Sequence, residues 1–420
     1  MADAFPSRRK FLKLAPAGLL GACATPSLGN PRHIGVVGGG IVGASITYHL
    51  AKLGLKVTLL ERNGLAEQAS HGTFAWINAS WAKQPRHYHT LSQAGVSGWH
   101  RLEEELNLRI KWGGSLEWFT SADRQARLAE QIDEQALWGE PARMVSRAEL
   151  QQLEPNVNFG KANTAALSAN DAAVDPVEAT QALVNAAMQL GARVQTQCQV
   201  NSIASTPAGQ VELQTDCGNV QVDKFVLATG ADQHATQTLA SIDLPQRSTP
   251  GVIVVTQPQP QLLGRIIVAP GVHIHQRLDG RVVLGEQEGA PNNQAHGQRL
   301  QQRPTRFPDK SLANQHARRI LTTAREFVPK LKINQVQEVL IGWRPLPSDG
   351  HPVLGTSPYN PKAYLAIMHS GVTLAPVVGE LVAKEIAEEQ DLEMLVPYRP
   401  KRFVTQDSSS ALLIQNHPTS

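Results

Sequence analysis

Apolar and polar positions change their period several times along the chain, and each change marks an element. Ile34, Val36 and Val37 form a short apolar run that ends at Gly38-Gly39-Gly40-Ile41-Val42-Gly43. Helical spacing follows over 44–52 until Gly54 breaks it, and 57–60 reads as a second strand with Glu61 at its end. Apolar residues recur every three or four positions from Tyr88 through Leu91, Val96, Trp99 and Leu102 to Leu106, and again over 123–137. These two helices are expected to begin a second domain. A short helix over 147–153 stops at Glu154-Pro155, and Val174-Asp175-Pro176 opens another that closes at Gly191. Segments 194–203, 210–214 and 220–228 read as three strands, with turns at Thr206-Pro207-Ala208-Gly209 and Cys217-Gly218-Asn219. Between 245 and 345 the alternation is that of an antiparallel sheet: 252–256, 265–268, 272–276 and 281–285, with a hairpin turn at Asp279-Gly280. A helix over 312–327 interrupts it and a strand over 336–343 resumes it. A last strand, 363–368, meets His369-Ser370-Gly371 and a helix from Thr373 to about 388, and the tail over 404–420, with Ser408-Ser409-Ser410, is expected to be mobile.

The first of these patterns carries chemistry. A strand, a glycine turn, a helix, a second strand and an acid 23 residues after Gly38 describe a dinucleotide-binding βαβ unit. Gly38 serves the tight turn, Gly40 the approach of backbone to a pyrophosphate, and Gly43 the packing of helix on strand. The helix N-terminus faces the phosphates. Glu61 is placed to hold a ribose 2′-hydroxyl, which favours FAD or NAD over NADP. The small-residue loop Ala69-Ser70-His71-Gly72-Thr73-Phe74-Ala75-Trp76 lets backbone approach a ligand in the same way.

Charge changes the picture only at the N-terminus. The formal net charge is +3, and Arg8, Arg9, Lys10 and Lys13 against Asp3 account for all of it, so nothing points to a nucleic-acid partner. Ser7-Arg8-Arg9-Lys10-Phe11-Leu12-Lys13 followed by an apolar stretch matches a twin-arginine export signal within 1–31, a route for proteins already folded around a cofactor. Leu20-Gly21-Ala22-Cys23 resembles a lipobox, in which Cys23 is lipidated and attaches the protein to a membrane. Ala22-Cys23-Ala24 also fits simple cleavage to a soluble periplasmic protein. Cys198 and Cys217 can close a disulfide, since a turn centred between Pro207 and Ala208 pairs positions whose numbers sum to 415, and these two do. The alternative is two buried thiols, the outcome if a one-residue bulge turns the side chains to opposite faces. The histidines and cysteines show no metal-ligand spacing, and no G-x-S-x-G nucleophile elbow is present.

Several separated segments together resemble the D-amino-acid oxidase family of FAD-dependent oxidoreductases, the group that includes glycine oxidase, sarcosine oxidase and D-amino-acid dehydrogenase. They are the glycine turn with Glu61, Val174-Asp175-Pro176, Phe225-Val226-Leu227-Ala228-Thr229-Gly230, Gly342-Trp343-Arg344-Pro345 with Asp349-Gly350-His351-Pro352-Val353-Leu354-Gly355, and Gly371-Val372-Thr373-Leu374-Ala375-Pro376. The resemblance implies a mixed α/β (α+β) fold. Its Rossmann-type FAD-binding domain is discontinuous, over 32–80, 160–245 and 340–395, beside an antiparallel-sheet substrate domain with helices over 81–159 and 246–339. It implies that Gly38, Gly39, Gly40, Ile41, Val42, Gly43, Glu61, Arg62, Ser70, Thr73, Val200, Thr229, Gly230, Gly342, Gly371, Val372 and Thr373 hold FAD. Val200 would lie against the adenine, and the Thr373 helix would aim its N-terminus at the flavin N1 and C2 carbonyl. No cysteine lies near Arg344 and His71 is only loosely placed, which favours non-covalent FAD. Where relatives carry Gly-His-Gly, this chain has Met368-His369-Ser370-Gly371, so His369 inherits no role.

Arg344 is the leading substrate residue, because a guanidinium grips a carboxylate bidentately and its match in relatives does so. His273 and His275 alternate along one strand, share a face and are candidates to shape the site. Trp76, Trp81, Trp99, Trp112, Trp118 and Trp138 read as packing residues, with Trp76 close to the flavin loop. The implied activity is oxidation of the carbon–nitrogen bond of an amino acid or amine, with a hydride passing to the flavin and a quinone, another electron-transport component or O2 as acceptor. A 2-hydroxy-acid dehydrogenase or oxidase and a non-catalytic flavin-binding protein are the alternatives.

Overall fold

A computed structural model describes residues 32–80, 83–286, 307 and 309–404. Residues 1–31 with Arg8, Arg9 and Cys23, residue Trp81 and the tail from 405 lie outside the described residues.

Period-2 alternation in the apolar strands builds a six-stranded sheet. Its order is Val353–Thr356, Ala363–Ile367, Lys224–Leu227, His33–Val37, Lys56–Leu60 and Arg193–Gln195, parallel throughout except for the antiparallel edge strand Val353–Thr356. Ile34, Val36, Val57, Leu59, Val226, Tyr364 and Ala366 point to one face, where the helices Ile41–Lys52, Pro176–Gln189 and Gly371–Glu388 cover them. Phe225, Leu227, Ala363, Leu365 and Ile367 point to the other, against the three-stranded sheet Val200–Ser205, Val211–Thr215 and Val220–Val222. Both faces are buried, as a parallel sheet requires.

An eight-stranded sheet contains the region that alternates between 245 and 345. The strands Val336–Pro347, Gln246–Pro258, Arg281–Glu286, Val272–Gln276 and Ile266–Ala269 pair antiparallel in that order. Ser115–Glu117, Thr164–Ser168 and Ala142–Ser146 extend the sheet beyond them. The helix Lys310–Phe327 buries Leu312, Ala317, Ile320, Leu321 and Ala324 and joins the core under this sheet.

Three expectations change. The helix Arg86–Leu106 does not begin a separate body: Tyr88, Leu91, Val96, Trp99 and Leu102 join the core of the parallel sheet, and Trp99 Nε1 donates to the carbonyl of Val372 at 2.8 Å. Segment 194–203 is two strands, Arg193–Gln195 and Val200–Ser205, in different sheets, with Gln197 at φ 54° turning the chain between them. Segment 220–228 likewise divides into Val220–Val222 and Lys224–Leu227. A continuous apolar run hides such a break, because period 2 persists through it.

Cys198 and Cys217 form a disulfide with Cα atoms 5.3 Å apart. Near the turn the hairpin pairs Ile203 with Leu213, one position off the register expected from its centre. A bulge between Val200 and Ser202 then shifts the register, so that Val200 faces Thr215 and the cysteines meet. The bulge expected to part the cysteines therefore brings them together. Cross-linking a loop of this size stabilises a chain by about 3 kcal/mol, so Cys217→Ser should lower unfolding stability by about that amount. Urea titration of the oxidised protein checks it, and Cys217→Ser and Cys198→Ser should agree.

Candidate functional site

The backbone of the first turn is shaped by contact rather than by side chains. Gly38 has φ +115°, and a Cβ on Gly43 would lie 1.9 Å from the Gly38 carbonyl oxygen, so strand and helix meet with no space for one. Gly40, the N-cap of Ile41–Lys52, has no side chain to cap this end, and Ser70 Oγ from the following loop accepts from Ile41 N at 3.0 Å. Glu61 accepts from Gly39 N at 2.6 Å and from Asn63 N at 2.8 Å. Each carboxylate oxygen keeps lone-pair capacity for a further donor.

From this turn a cavity of about 1010 Å³ runs between the two large sheets. Its near end is lined by Gly38, Gly40, Ile41, Val42, Glu61, Arg62, Val200, Thr229 and Gly230. The far end is lined by Thr73, Trp76, Lys83, His273, Gly342, Arg344, His369, Gly371, Val372 and Thr373, while Ser70 lines the near end beside Gly40 and Ile41. Gly39 and Gly43 stand behind the wall, where they position Glu61 and the helix rather than touch the cavity. Arg62 is held by Asp232 at 2.5 Å. The second helix end at the cavity, Ser370 before Gly371–Glu388, also lacks a side-chain cap. Thr373 Oγ1 donates to Trp76 O and accepts from Asn78 N, both at 3.2 Å, which ties that helix to the flavin loop. The loop in turn touches the eight-stranded sheet, where a Cβ on Gly342 would lie 2.0 Å from Gly72 O.

Two helix ends that receive no cap from their own N-cap residues, an acid at the first and a long cavity joining them fit a dinucleotide whose phosphates take one end and whose ring system takes the other. A model of the FAD dependent oxidoreductase family matches residues 33–385. The chain belongs to this family. It is 26% identical over 367 residues to glycine oxidase of Bacillus licheniformis, covering 84% of this chain and 92% of that one. It is also 26% identical over 387 residues to a subunit of opine oxidase from Agrobacterium tumefaciens (strain Ach5), covering 89% and 98%. Glycine oxidase from Geobacillus kaustophilus shares the fold with a TM-score of 0.77 at 22% identity, covering 89% of this chain and all of that one. L-amino acid deaminase from Proteus vulgaris does so with 0.75 at 19%, covering 90% and 98%. FAD is the cofactor, and non-covalent binding fits the cavity: Cys198, the cysteine at its wall, is bonded in the disulfide, and His71 stands outside the lining, 3.8 Å from Glu338.

Arg344 lies on the cavity wall within Val336–Pro347, half-buried, with Nη2 donating to Pro250 O at 3.3 Å. Burial lowers its pKa, and no carboxylate among the described residues pairs with it. His273 faces the cavity with Nε2 lacking a hydrogen-bond partner among the described residues. Burial and then the Arg344 charge hold its pKa down to about 4. His275 takes a different place. It shares the sheet face and packs on Phe74, but it does not line the cavity; its Nε2 bonds to Phe74 O at 2.9 Å, and burial holds its pKa at about 3. It is a packing residue behind the flavin loop, not a catalytic one.

Sequence reading passed over three residues here. Lys83 lines the cavity, and burial brings its pKa down to about 8. His369, without an inherited role, also lines it, with its pKa held at about 4 by burial, Arg344 and Lys83. Asp171, fully buried, accepts from Trp76 Nε1 at 2.9 Å and from Ser115 Oγ at 2.6 Å, and burial raises its pKa to about 7. A lone Asp in Ala169-Asn170-Asp171-Ala172 gives no signal of this, because its role depends on a tryptophan far away in sequence. Among the described residues no cluster of histidines, cysteines or acids is placed to hold a metal.

The buried histidines are neutral in the fold and protonate near 6.5 when unfolded, so their contribution is present above that pH and is lost as pH falls towards 4. Asp171 opposes them: its raised pKa makes the fold bind a proton between about 7 and 3.8, which stabilises it as pH falls. Asp171→Asn should therefore steepen the loss of melting temperature between pH 6.5 and 4. Thermal melts of both proteins across that range check it; equal slopes would remove Asp171 from the account.

Proposed function

We propose that the chain oxidises the carbon–nitrogen bond of an amino acid or related amine, with Arg344 holding the carboxylate. The observation that carries this is a half-buried guanidinium at the flavin end of the cavity with no carboxylate of its own among the described residues. FAD, when bound, supplies the two-electron acceptor. The protein's part is to place the substrate: Arg344 fixes the carboxylate, while Phe74, Trp76 and Met368 make an apolar wall that excludes water. His273 and His369, neutral at pH 7, leave the positive charge to Arg344 and Lys83. The substrate loses two electrons and two protons to become an imine, which water hydrolyses to a carbonyl compound and ammonia, or a primary amine where the substrate nitrogen is secondary. The names of the relatives, glycine oxidase and opine oxidase, agree with this class of bond.

An anaerobic panel tests the reading: amino acids should bleach the visible flavin band. Bleaching by 2-hydroxy acids instead, or by neither class, would replace it with one of the two alternatives. Arg344→Lys keeps the charge but loses the planar fork, so reduction by carboxylate substrates should weaken by about 2 to 5 kcal/mol in apparent binding while FAD content holds. Amines without a carboxylate should hardly respond.

Residues 1–31 we read as a twin-arginine signal delivering the protein to the periplasm, as a Cys23 lipoprotein or in soluble form, where a quinone or another electron-transport component, or O2, accepts the electrons. The Cys198–Cys217 disulfide suits an oxidising compartment. Replacing Arg8 and Arg9 with lysine should leave flavin-loaded protein in the cytoplasm, and Cys23→Ala should separate lipidation from simple cleavage. Periplasmic protein from the double-lysine variant would refute the signal.

A further inference from the structure

The charged side chains that line the cavity divide into those already satisfied and those that are not. Glu61 is engaged by two backbone N–H groups. Arg62 pairs with Asp232, and Glu286 with Arg319. Arg344 and Lys83 are left, and among the described residues neither has a carboxylate within ion-pair distance. Lys83 reaches the cavity from the segment between Trp76–Ile77 and Arg86–Leu106. Its Nζ donates to Asn78 O at 3.0 Å and to Asn78 Oδ1 at 2.8 Å. An ammonium has three donors, so one remains.

The acids that act on Lys83 through space do not substitute for a counterion. Asp171 is bound to Trp76 and Ser115, Glu140 accepts from Gln93 at 3.1 Å, and burial raises the pKa of both. His369 lines the same end, and the charges of Arg344 and Lys83 both lower its proton affinity, so the two cations face one compartment, Arg344 from a strand of the eight-stranded sheet and Lys83 from the segment before Arg86–Leu106. A partly desolvated compartment with two cations and no anion is costly until an anion enters it. A substrate with one carboxylate answers only one of them.

Resting on the proposed carbon–nitrogen oxidation, we infer that the substrate carries a second anionic group, and that Lys83 binds it while Arg344 holds the first. The class is an amino or imino dicarboxylate. Lys83 then sets specificity: its ammonium gives the distal carboxylate one charge-assisted hydrogen bond, and Asn78 fixes where that ammonium stands.

Two measurements on the FAD-loaded protein test this. The first uses redox-inert probes, read by the shift they cause in the visible flavin spectrum: glutarate should bind at least tenfold more tightly than butyrate. Lys83→Met should erase most of that ratio and Lys83→Arg should retain most of it, with FAD content reporting that each variant folds. The second is the anaerobic bleaching rate with glutamate and iminodiacetate against glutamine and N-methylglycine, where Lys83→Met should lower the dicarboxylate-to-monocarboxylate ratio about tenfold. Equal affinity for glutarate and butyrate in the parent protein overturns the inference. So does a Lys83→Met variant that changes every ligand by the same factor, because Lys83 would then act on the flavin and not on the second anion. If no amine bleaches the flavin, the carbon–nitrogen reading fails while the glutarate comparison still decides whether the second anion site exists.

Discussion

Everything in this protein depends on bringing backbone close to a long anionic cofactor, and the contact between Gly43 and the Gly38 carbonyl is where that begins. With a Cβ position only 1.9 Å from that oxygen, the helix Ile41–Lys52 is drawn against the strand His33–Val37 as no other residue would allow. The consequence is a helix N-terminus that opens on the cavity with no cap from its own N-cap residue, Ser70 Oγ taking the Ile41 N–H. Glu61 at the end of the next strand then stands beside the same turn, tied to it through Gly39 N. The parallel sheet exists to hold these three points in register. Its two-sided burial supplies the stability that the exposed helix end and the carboxylate do not.

The second constraint is that the far end of the cavity belongs to a different sheet. Residues 68–80 solve it by touching both: Thr373 Oγ1 binds Trp76 O and Asn78 N on the parallel-sheet side, and the Gly72–Gly342 contact fastens the loop to the strand that carries Arg344. Asp171 binds Trp76 from below and Ser115 on the eight-stranded sheet. His275, held by the Phe74 carbonyl, is a further strut of the same loop. Arg344 on one sheet and a cofactor cradle on the other are thus fixed relative to each other by one short, tightly bonded segment. That is the preorganisation a reaction governed by positioning needs.

Local signals were legible and remote ones were not. The glycine turn, Glu61, the Val174-Asp175-Pro176 helix start and the alternating strands around His273 each depend on neighbours in sequence, and the structure places them as the pattern implies. The division of 194–203 between two sheets was hidden because an apolar strand run reads the same whether or not it turns at Gln197. The disulfide turned on a bulge that shifts register at Val200, which no count from the turn centre could contain. Arg86–Leu106 showed its apolar face but not which core would receive it. Asp171 and Lys83 were invisible for a deeper reason: their states are set by burial among residues distant in the chain, and the same letters on a surface would be ordinary solvated charges.

That burial also sets the charge pattern at the flavin end of the cavity. Burial first, and then the Arg344 charge with Lys83 adding to it for His369, hold His273 and His369 in the neutral form with pKa values near 4. Those two cations bear their own desolvation, shown by Lys83 falling to about 8 and Arg344 falling from its ordinary value. A desolvated cation is stabilised when its counter-charge arrives, so on the proposed function two such cations favour an anion and repel a free cation. An amine held there by its carboxylate is likewise pressed towards its neutral form, since an ammonium would stand beside two positive side chains. The neutral amine is the form with a lone pair able to support loss of the α-hydrogen, and so the electrostatics that choose the substrate also prepare it for oxidation.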